Sequence, residues 1–171
     1  MDTAEFWKII DDSVVSAGNY EDAQYAFLHK RLLTLIPEEI VAFEREYDMR
    51  RNEAYKWDLW GAAYEINGGC SDDGFEYFRA WLISRGRAVF EAALINPDSL
   101  AAHVKADEDN YEFEAFLYLS RRVYKEITGK EPDYENGVEF KKEPDGQEWD
   151  FEDDTELSTR FPMLYRLKRE L

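Results

Sequence analysis

The residues best suited to chemistry crowd into one stretch, Trp57 to Gly86, reading WDLWGAAYEINGGCSDDGFEYFRAWLISRG. It holds three of the five tryptophans and the single cysteine, Cys70. The stretch predicts two helices meeting at a glycine-rich corner. Gly68 and Gly69 permit positive φ after the first helix, and Ser71 caps the second. Asp72 and Asp73 then stand in its first turn, where carboxylates suit the positive helix end. Arg79 lies two turns further along one face, so an Asp58–Arg79 or Asp72–Arg79 ion pair across the corner is expected, with Arg79 buried beside Phe78 and Trp81. Trp57, Asp58, Trp60, Ser71, Asp72, Asp73 and Arg79 are the candidate residues for a ligand-binding or purely structural corner. With Trp57 and Trp60 as walls, the charges suit a small ligand. As packing alone, the rings are core and Ser71 is only a cap.

Other chemistries fit less well. Gly69-Cys70-Ser71-Asp72-Asp73-Gly74 is one residue too long for G-x-S-x-G, and a helix precedes it where that motif needs a strand. Cys70 at a helix start could gain thiolate character, but Asp72 and Asp73 oppose it. His29 sits beside Lys30 and Arg31 on a solvent side, and His103 follows a turn; neither has another His or Cys nearby in sequence. Asp107-Glu108-Asp109-Asn110 opens like a calcium loop, yet its sixth position is Glu112 where glycine is needed, and a helix start is the expected structure there. No phosphate-binding glycine loop is present. No catalytic residue, metal or cofactor is expected.

The positioning elements follow from apolar spacing. Phe6, Ile10, Val14 and Ala17 share a stripe, with Thr3 as N-cap and Gly18 as stop. Tyr25, Leu28, Leu32 and Leu35 make a second. Pro37 opens a third, continued by Ile40, Phe43 and Tyr47. Tyr55, Leu59, Ala62 and Ile66 precede the corner; Phe75, Phe78 and Leu82 follow it. After Gly86 comes a short helix with Phe90 and Leu94, then a restart at Asn96-Pro97-Asp98-Ser99. A long helix is expected from about Glu108 to Thr128, stopped by Gly129, and a last one near Phe161 to Lys168. Asp153 and Asp154 read as caps for a helix near Thr155. The only strand candidate is Gly137 to Lys141.

Charge is distributed unevenly. The chain of 171 residues carries a formal net charge of −17. Glu131 to Glu156 holds twelve acids and two lysines, a net of −10, together with Asn136-Gly137 and Asp145-Gly146 turn pairs. This region, 131–156, reads as an acidic loop or hairpin whose Trp149 and Phe151 anchor it to the helices. Asp133, Glu135, Glu139, Glu143 and Glu148 are expected to face outward. Such a balance disfavours nucleic acid and anionic membrane as partners and favours a basic protein. The sequence shows no secretory signal and no membrane span, so the cytoplasm is expected.

The run WDLWGAAYEINGGCSDDGFEYFRAWLISRGRAVFEAAL, the following NPDSLA and the earlier FWKIID resemble the bacterial family catalogued as domain of unknown function 4240. The resemblance covers Phe6 to about Gly129, and Gly146-Gln147-Glu148-Trp149-Asp150 and Phe161-Pro162 also fit. It implies no catalytic residue. Members that look like small stand-alone proteins, or domains joined to other modules, imply an interaction role.

Together these readings predict one all-α domain over 1–171, an orthogonal bundle of about seven or eight helices. The leading function is a non-catalytic, immunity-like or mimic-like interaction protein. The alternatives are a small-ligand binder or enzyme at the corner, and a structural accessory domain with no ligand. An open cavity at the corner reached by both Asp72 and Arg79 would favour the ligand class. A filled corner with carboxylates massed on an outer face would favour the partner class. Oligomeric state is not legible.

Overall fold

The computed structural model describes residues 1–18 and 20–169. Among them are ten α-helices: α1 Thr3–Ala17, α2 Glu21–Leu32, α3 Pro37–Glu53, α4 Trp57–Asn67, α5 Asp72–Ser84, α6 Arg87–Ile95, α7 Glu114–Leu117, α8 Leu119–Thr128, α9 Asp154–Arg160 and α10 Pro162–Arg169. A 3-10 helix spans Pro97–Ala102. No strand forms among the described residues; one isolated parallel bridge joins Lys56 and Asp145. The all-α prediction holds, with more and shorter helices than the spacing suggested.

Local chemistry explains the ends. Asp2, not Thr3, caps α1: its Oδ1 accepts from the Glu5 amide at 2.9 Å while Glu5 Oε2 accepts from the Asp2 amide at 3.0 Å. Thr3 instead donates to Glu46 on α3. The α10 N-terminus is capped from far away in sequence. The buried Asp98 carboxylate accepts the Met163 and Leu164 amides at 3.0 and 2.8 Å, supplying charge where the helix dipole is positive. Phe6, Ile10, Phe43, Tyr47, Phe75, Phe78, Trp81, Phe90 and Phe116 form the centre of one contiguous core.

The long helix expected from Glu108 does not form. Residues 106–113 run irregularly, and two helices, α7 and α8, follow with a break at Tyr118. Tyr111 and Phe113 still point inward, but their amides donate to Asn67 Oδ1 and the Tyr77 carbonyl. Apolar spacing matched a helix because both side chains are core; their backbone partners lie on α4 and α5.

The acidic region is neither hairpin nor strand. From Glu131 to Asp153 it is a strap, ending where Asp153 caps α9 through the Thr155 and Glu156 amides. Residues 131–139 alternate: Pro132, Tyr134, Asn136 and Val138 turn inward, while Glu131, Asp133, Glu135 and Glu139 are exposed. This extended chain lies along α3. Tyr134 bonds Glu44, Asn136 donates to Asp48 at 2.7 Å, and Asn52 donates to the Glu139 carbonyl at 3.1 Å while accepting the Lys141 amide at 2.9 Å. From Glu44 to Asp48 four helical residues rise about 6 Å, and from Tyr134 to Asn136 two extended ones rise about 6.6 Å, so the periods match over this step. After the positive-φ Gly137 the next helical position, Asn52, meets Glu139 and Lys141 instead of Val138.

The far end of the strap is held by rings. Phe151 packs 6.1 Å from Trp57 and 5.8 Å from Tyr64, and Trp149 packs 5.8 Å from Phe161. Trp149 lies against Gly61, where an added Cβ would stand 2.1 Å from the indole. Glycine is required there for close approach, not for its backbone angles. The expected anchoring by Trp149 and Phe151 is therefore found, and the five named acids are all exposed.

Candidate functional site

The α4–α5 corner has the expected local build. Gly68 and Gly69 take φ of 66° and 136°, and Ser71 Oγ accepts the Gly74 amide at 3.1 Å. A half-open cleft of about 440 Å³ lies against it, lined by Arg51 and Asn52 from the end of α3, Tyr55 from the link to α4, Trp60 from α4, and Asp72, Asp73, Phe75, Glu76 and Arg79 from α5. Phe140 and Lys141 of the strap complete the wall. Three elements distant in sequence thus build one recess.

Of the sequence candidates, the cleft brings together Trp60, Asp72, Asp73 and Arg79. It leaves out Trp57, Asp58 and Ser71. Trp57 stacks behind Trp60 at 5.5 Å; both rings are half-buried, not the deep core expected of them. Asp58 is exposed and turned to the strap and α9, where it accepts from Arg160 at 2.8 Å and Trp149 Nε1 at 3.2 Å. Ser71 is spent as a cap.

Arg79 is buried, 6% exposed, but the predicted partner is wrong. Neither Asp58 nor Asp72 pairs with it; its carboxylate neighbour is Glu76, at 3.6 Å. Its other bonds go to main chain: Nε to the Phe75 carbonyl at 3.3 Å and Nη1 to the Arg51 carbonyl at 2.9 Å. The guanidinium carbon sits 4.8 Å from the Tyr55 ring centroid and 4.9 Å from that of Phe75. The side chain folds back toward the N-terminus of α5, as helical side chains do, and so lies over Phe75.

Arg51, which sequence reasoning missed, is the second cation of the floor. It donates to Asp48 at 2.9 Å and pairs with Glu76 at 3.1 Å. Burial works against its charge, but Tyr47, Asp48 and Glu76 outweigh it and raise its pKa above the usual value. Arg79 goes the other way. Burial, and then the neighbouring Arg51 charge, pull it down to about 10. The nearby acids side with Arg51 and leave Arg79 under-compensated. Beneath them the Tyr47 hydroxyl and Arg51 Nε are buried with no hydrogen-bond partner among the described residues. Asn52, Tyr55, Glu76, Phe140 and Lys141 were also missed. The Glu76–Arg79 spacing of i, i+3 was the available signal for the pair.

The remaining candidates are placed plainly. Burial and then the Glu112 charge push the Cys70 thiol up to about 12, away from nucleophilic use. Its carbonyl accepts from Trp60 Nε1 at 3.0 Å, and the Trp60 ring stacks on Phe75 at 4.9 Å, fixing that wall. His29 meets Glu126 at 2.8 Å across α2 and α8. Among the described residues no group of three or more His, Cys, Asp or Glu is placed to hold a metal ion. None of their helices is long and apolar enough to cross a membrane.

The family described as "Protein of unknown function (DUF4240)" matches residues 1–126. The chain belongs to that family. The match includes every cleft residue except Phe140 and Lys141, which the strap adds from outside the matched span. No curated protein and no solved structure matches the chain.

Proposed function

We propose that this chain is a non-catalytic binding protein that seats a small polar ligand in the cleft between α3, the α4–α5 corner and the strap. One observation carries the reading: the corner is open, and Asp72 and Arg79 both line it. Ligand sites combine flat apolar walls with a few fixed polar groups. Here Trp60, Phe75, Tyr55 and Phe140 supply walls, and Arg79 is fixed by two carbonyls. Binding is favoured over catalysis because the described residues that line the cleft include no His, Cys or Ser, and Arg79, with its pKa near 10, is a poor proton carrier at neutral pH. The cytoplasm is the compartment this reading assumes.

The test is a fragment screen on the full ¹⁵N-labelled chain, using neutral, cationic, anionic and zwitterionic aromatic fragments. Shifts should cluster on amides of the cleft residues and on the Trp60 indole signal. A screen in which no fragment of any charge moves those signals at millimolar concentration overturns the reading.

A second reading is recognition of a basic protein through the strap. It is favoured by the exposure of Asp133, Glu135, Glu139, Glu143 and Glu148 on a segment anchored at both ends. Changing those five to Asn or Gln should slow association with a co-purifying basic protein and flatten its salt dependence. An unchanged rate and slope would reduce the strap to a solubilising surface.

A further inference from the structure

Apart from Lys141, which lines the wall and is paired with Asp145, the charges of the cleft are sorted by depth. Arg51 and Arg79 form the floor, with side chains 12% and 7% exposed. Asp72 and Asp73 are exposed at the mouth, and neither is in a salt bridge among the described residues. Trp60, Phe75 and Phe140 line the same recess.

The two floor cations share two carboxylates of unlike character. Asp48 is locked, its side chain 8% exposed, with one oxygen on Arg51 and the other on Asn136. Glu76 is 43% exposed and bridges the guanidiniums from the cleft side, at 3.1 Å from Arg51 and 3.6 Å from Arg79. Rotating Glu76 outward leaves the floor with one unbalanced positive charge and donors aimed into the cleft. A single carboxylate on a ligand can take that place, and guanidinium forks suit a carboxylate. The displaced Glu76 then joins Asp72 and Asp73 at the mouth. A plain anion would have to pass these three acids on a chain of net charge −17. A ligand with a cation at its outer end would instead be drawn in and held there.

We infer that the cleft takes a zwitterion: a carboxylate seated between Arg51 and Arg79 in place of Glu76, an apolar body along the Phe140 ring and the edge of Trp60, and an ammonium facing Asp72 and Asp73. The inference rests on the cleft being the binding site. Glu76 is accordingly a stand-in for the ligand carboxylate and a positioning residue for the two arginines.

The test uses four probes on one ring: 4-(aminomethyl)phenylacetate, 4-methylphenylacetate, 4-methylbenzylamine and 4-methylbenzyl alcohol. Each is titrated into the full chain, with amide and Trp60 indole shifts read by NMR. The zwitterion should bind about tenfold or more tighter than either singly charged probe. Glu76→Ala should tighten 4-methylphenylacetate, because the competing carboxylate is gone; the variant should still fold, since Arg51 keeps Asp48 and Arg79 keeps its two carbonyl bonds. Equal binding by 4-methylbenzylamine and the zwitterion overturns the carboxylate seat while leaving the cleft reading intact. Equal binding by the neutral alcohol does the same for both charges. Weaker 4-methylphenylacetate binding in Glu76→Ala overturns the stand-in role. Silence from all four probes overturns the zwitterion, and the wider fragment screen then decides the cleft separately.

Discussion

Two guanidinium–carboxylate pairs in this molecule are built in opposite senses. Where α4 meets α10, the carboxylate is the buried member: Glu65 is 3% exposed and accepts twice from Arg169, at 3.1 Å each, while Arg169 is 40% exposed. At the cleft the cation is the buried member: Arg79 is 7% exposed and Glu76 is 43% exposed. The two differ in what a deletion leaves behind. Losing the exposed partner strands a buried charge; losing the buried one returns the other to water. The first design holds helices together. The second keeps a cation at the bottom of a recess with a counter-ion that can move aside.

The largest effect is expected from Arg169→Met. Glu65 is left buried with both donors gone, so unfolding free energy should fall by about 2–3 kcal/mol, under the 3–5 kcal/mol of a wholly buried pair because Arg169 reaches solvent. Thermal and urea denaturation measure it. A loss below half a kcal/mol (about one RT) would break the contrast. Next comes Arg121→Met. Glu44 is equally buried and receives Arg121 at 2.7 Å, but it keeps a second donor in Tyr134. The loss should be about 1–2 kcal/mol. A loss equal to that of Arg169→Met would show that the second donor does nothing.

Tyr134→Phe sharpens the same point from the other side. Phenylalanine keeps the edge contact to Tyr124, 4.8 Å between centroids, and removes only the hydroxyl bonded to Glu44. With Arg121 still in place, about 1 kcal/mol should be lost. Hydrogen exchange should also quicken over residues 131–141, because Tyr134 is the first anchor of the strap on α3. Unchanged exchange there would mean that Asn136 and Asn52 hold the strap unaided.

The sequence showed some of this and hid the rest for definite reasons. The Asn67-Gly68-Gly69 stop, the Ser71 cap and the Asp153 cap were legible because each bond is made within three residues. Arg79's burial was legible from its aromatic neighbours. Its partner was not: helical spacing says which face Asp58 occupies, not which element lies opposite, and that element is α9 with Arg160. Arg51 was hidden because an arginine at the end of an exposed-looking helix gives no sign that a strap 89 residues further on will cover it. The strap showed its acids but not its inward alternation, since the partner row Glu44, Asp48 and Asn52 is helical and polar where a strand would be sought.

The smallest change in stability is expected from Arg79→Met, and it decides whether the buried cation serves the fold or the cleft. Five contacts are lost: two carbonyl bonds, the faces of Tyr55 and Phe75, and the ion pair with Glu76. Against them stands the cost of keeping a guanidinium out of water. The Arg79 pKa, lowered from the usual guanidinium value to about 10 by burial and by Arg51, carries the sign of that cost. A cation whose pKa is lower in the folded chain than in the unfolded one is held less well when folded. The penalty is therefore full below about pH 10 and fades as pH rises above it toward the ordinary guanidinium value. Methionine removes the penalty and fills the volume of the stem. Glu76 is not stranded, because it is largely in water and keeps Arg51. Stability at neutral pH should stay within about 1 kcal/mol of the parent, since a buried charge replaced by a packed apolar side chain is often neutral. Binding of 4-(aminomethyl)phenylacetate should nonetheless weaken by about tenfold or more, the loss of one charged contact. A fall in stability as large as that of Arg169→Met, with binding unchanged, would make Arg79 a structural cation and erase the contrast between the two pairs.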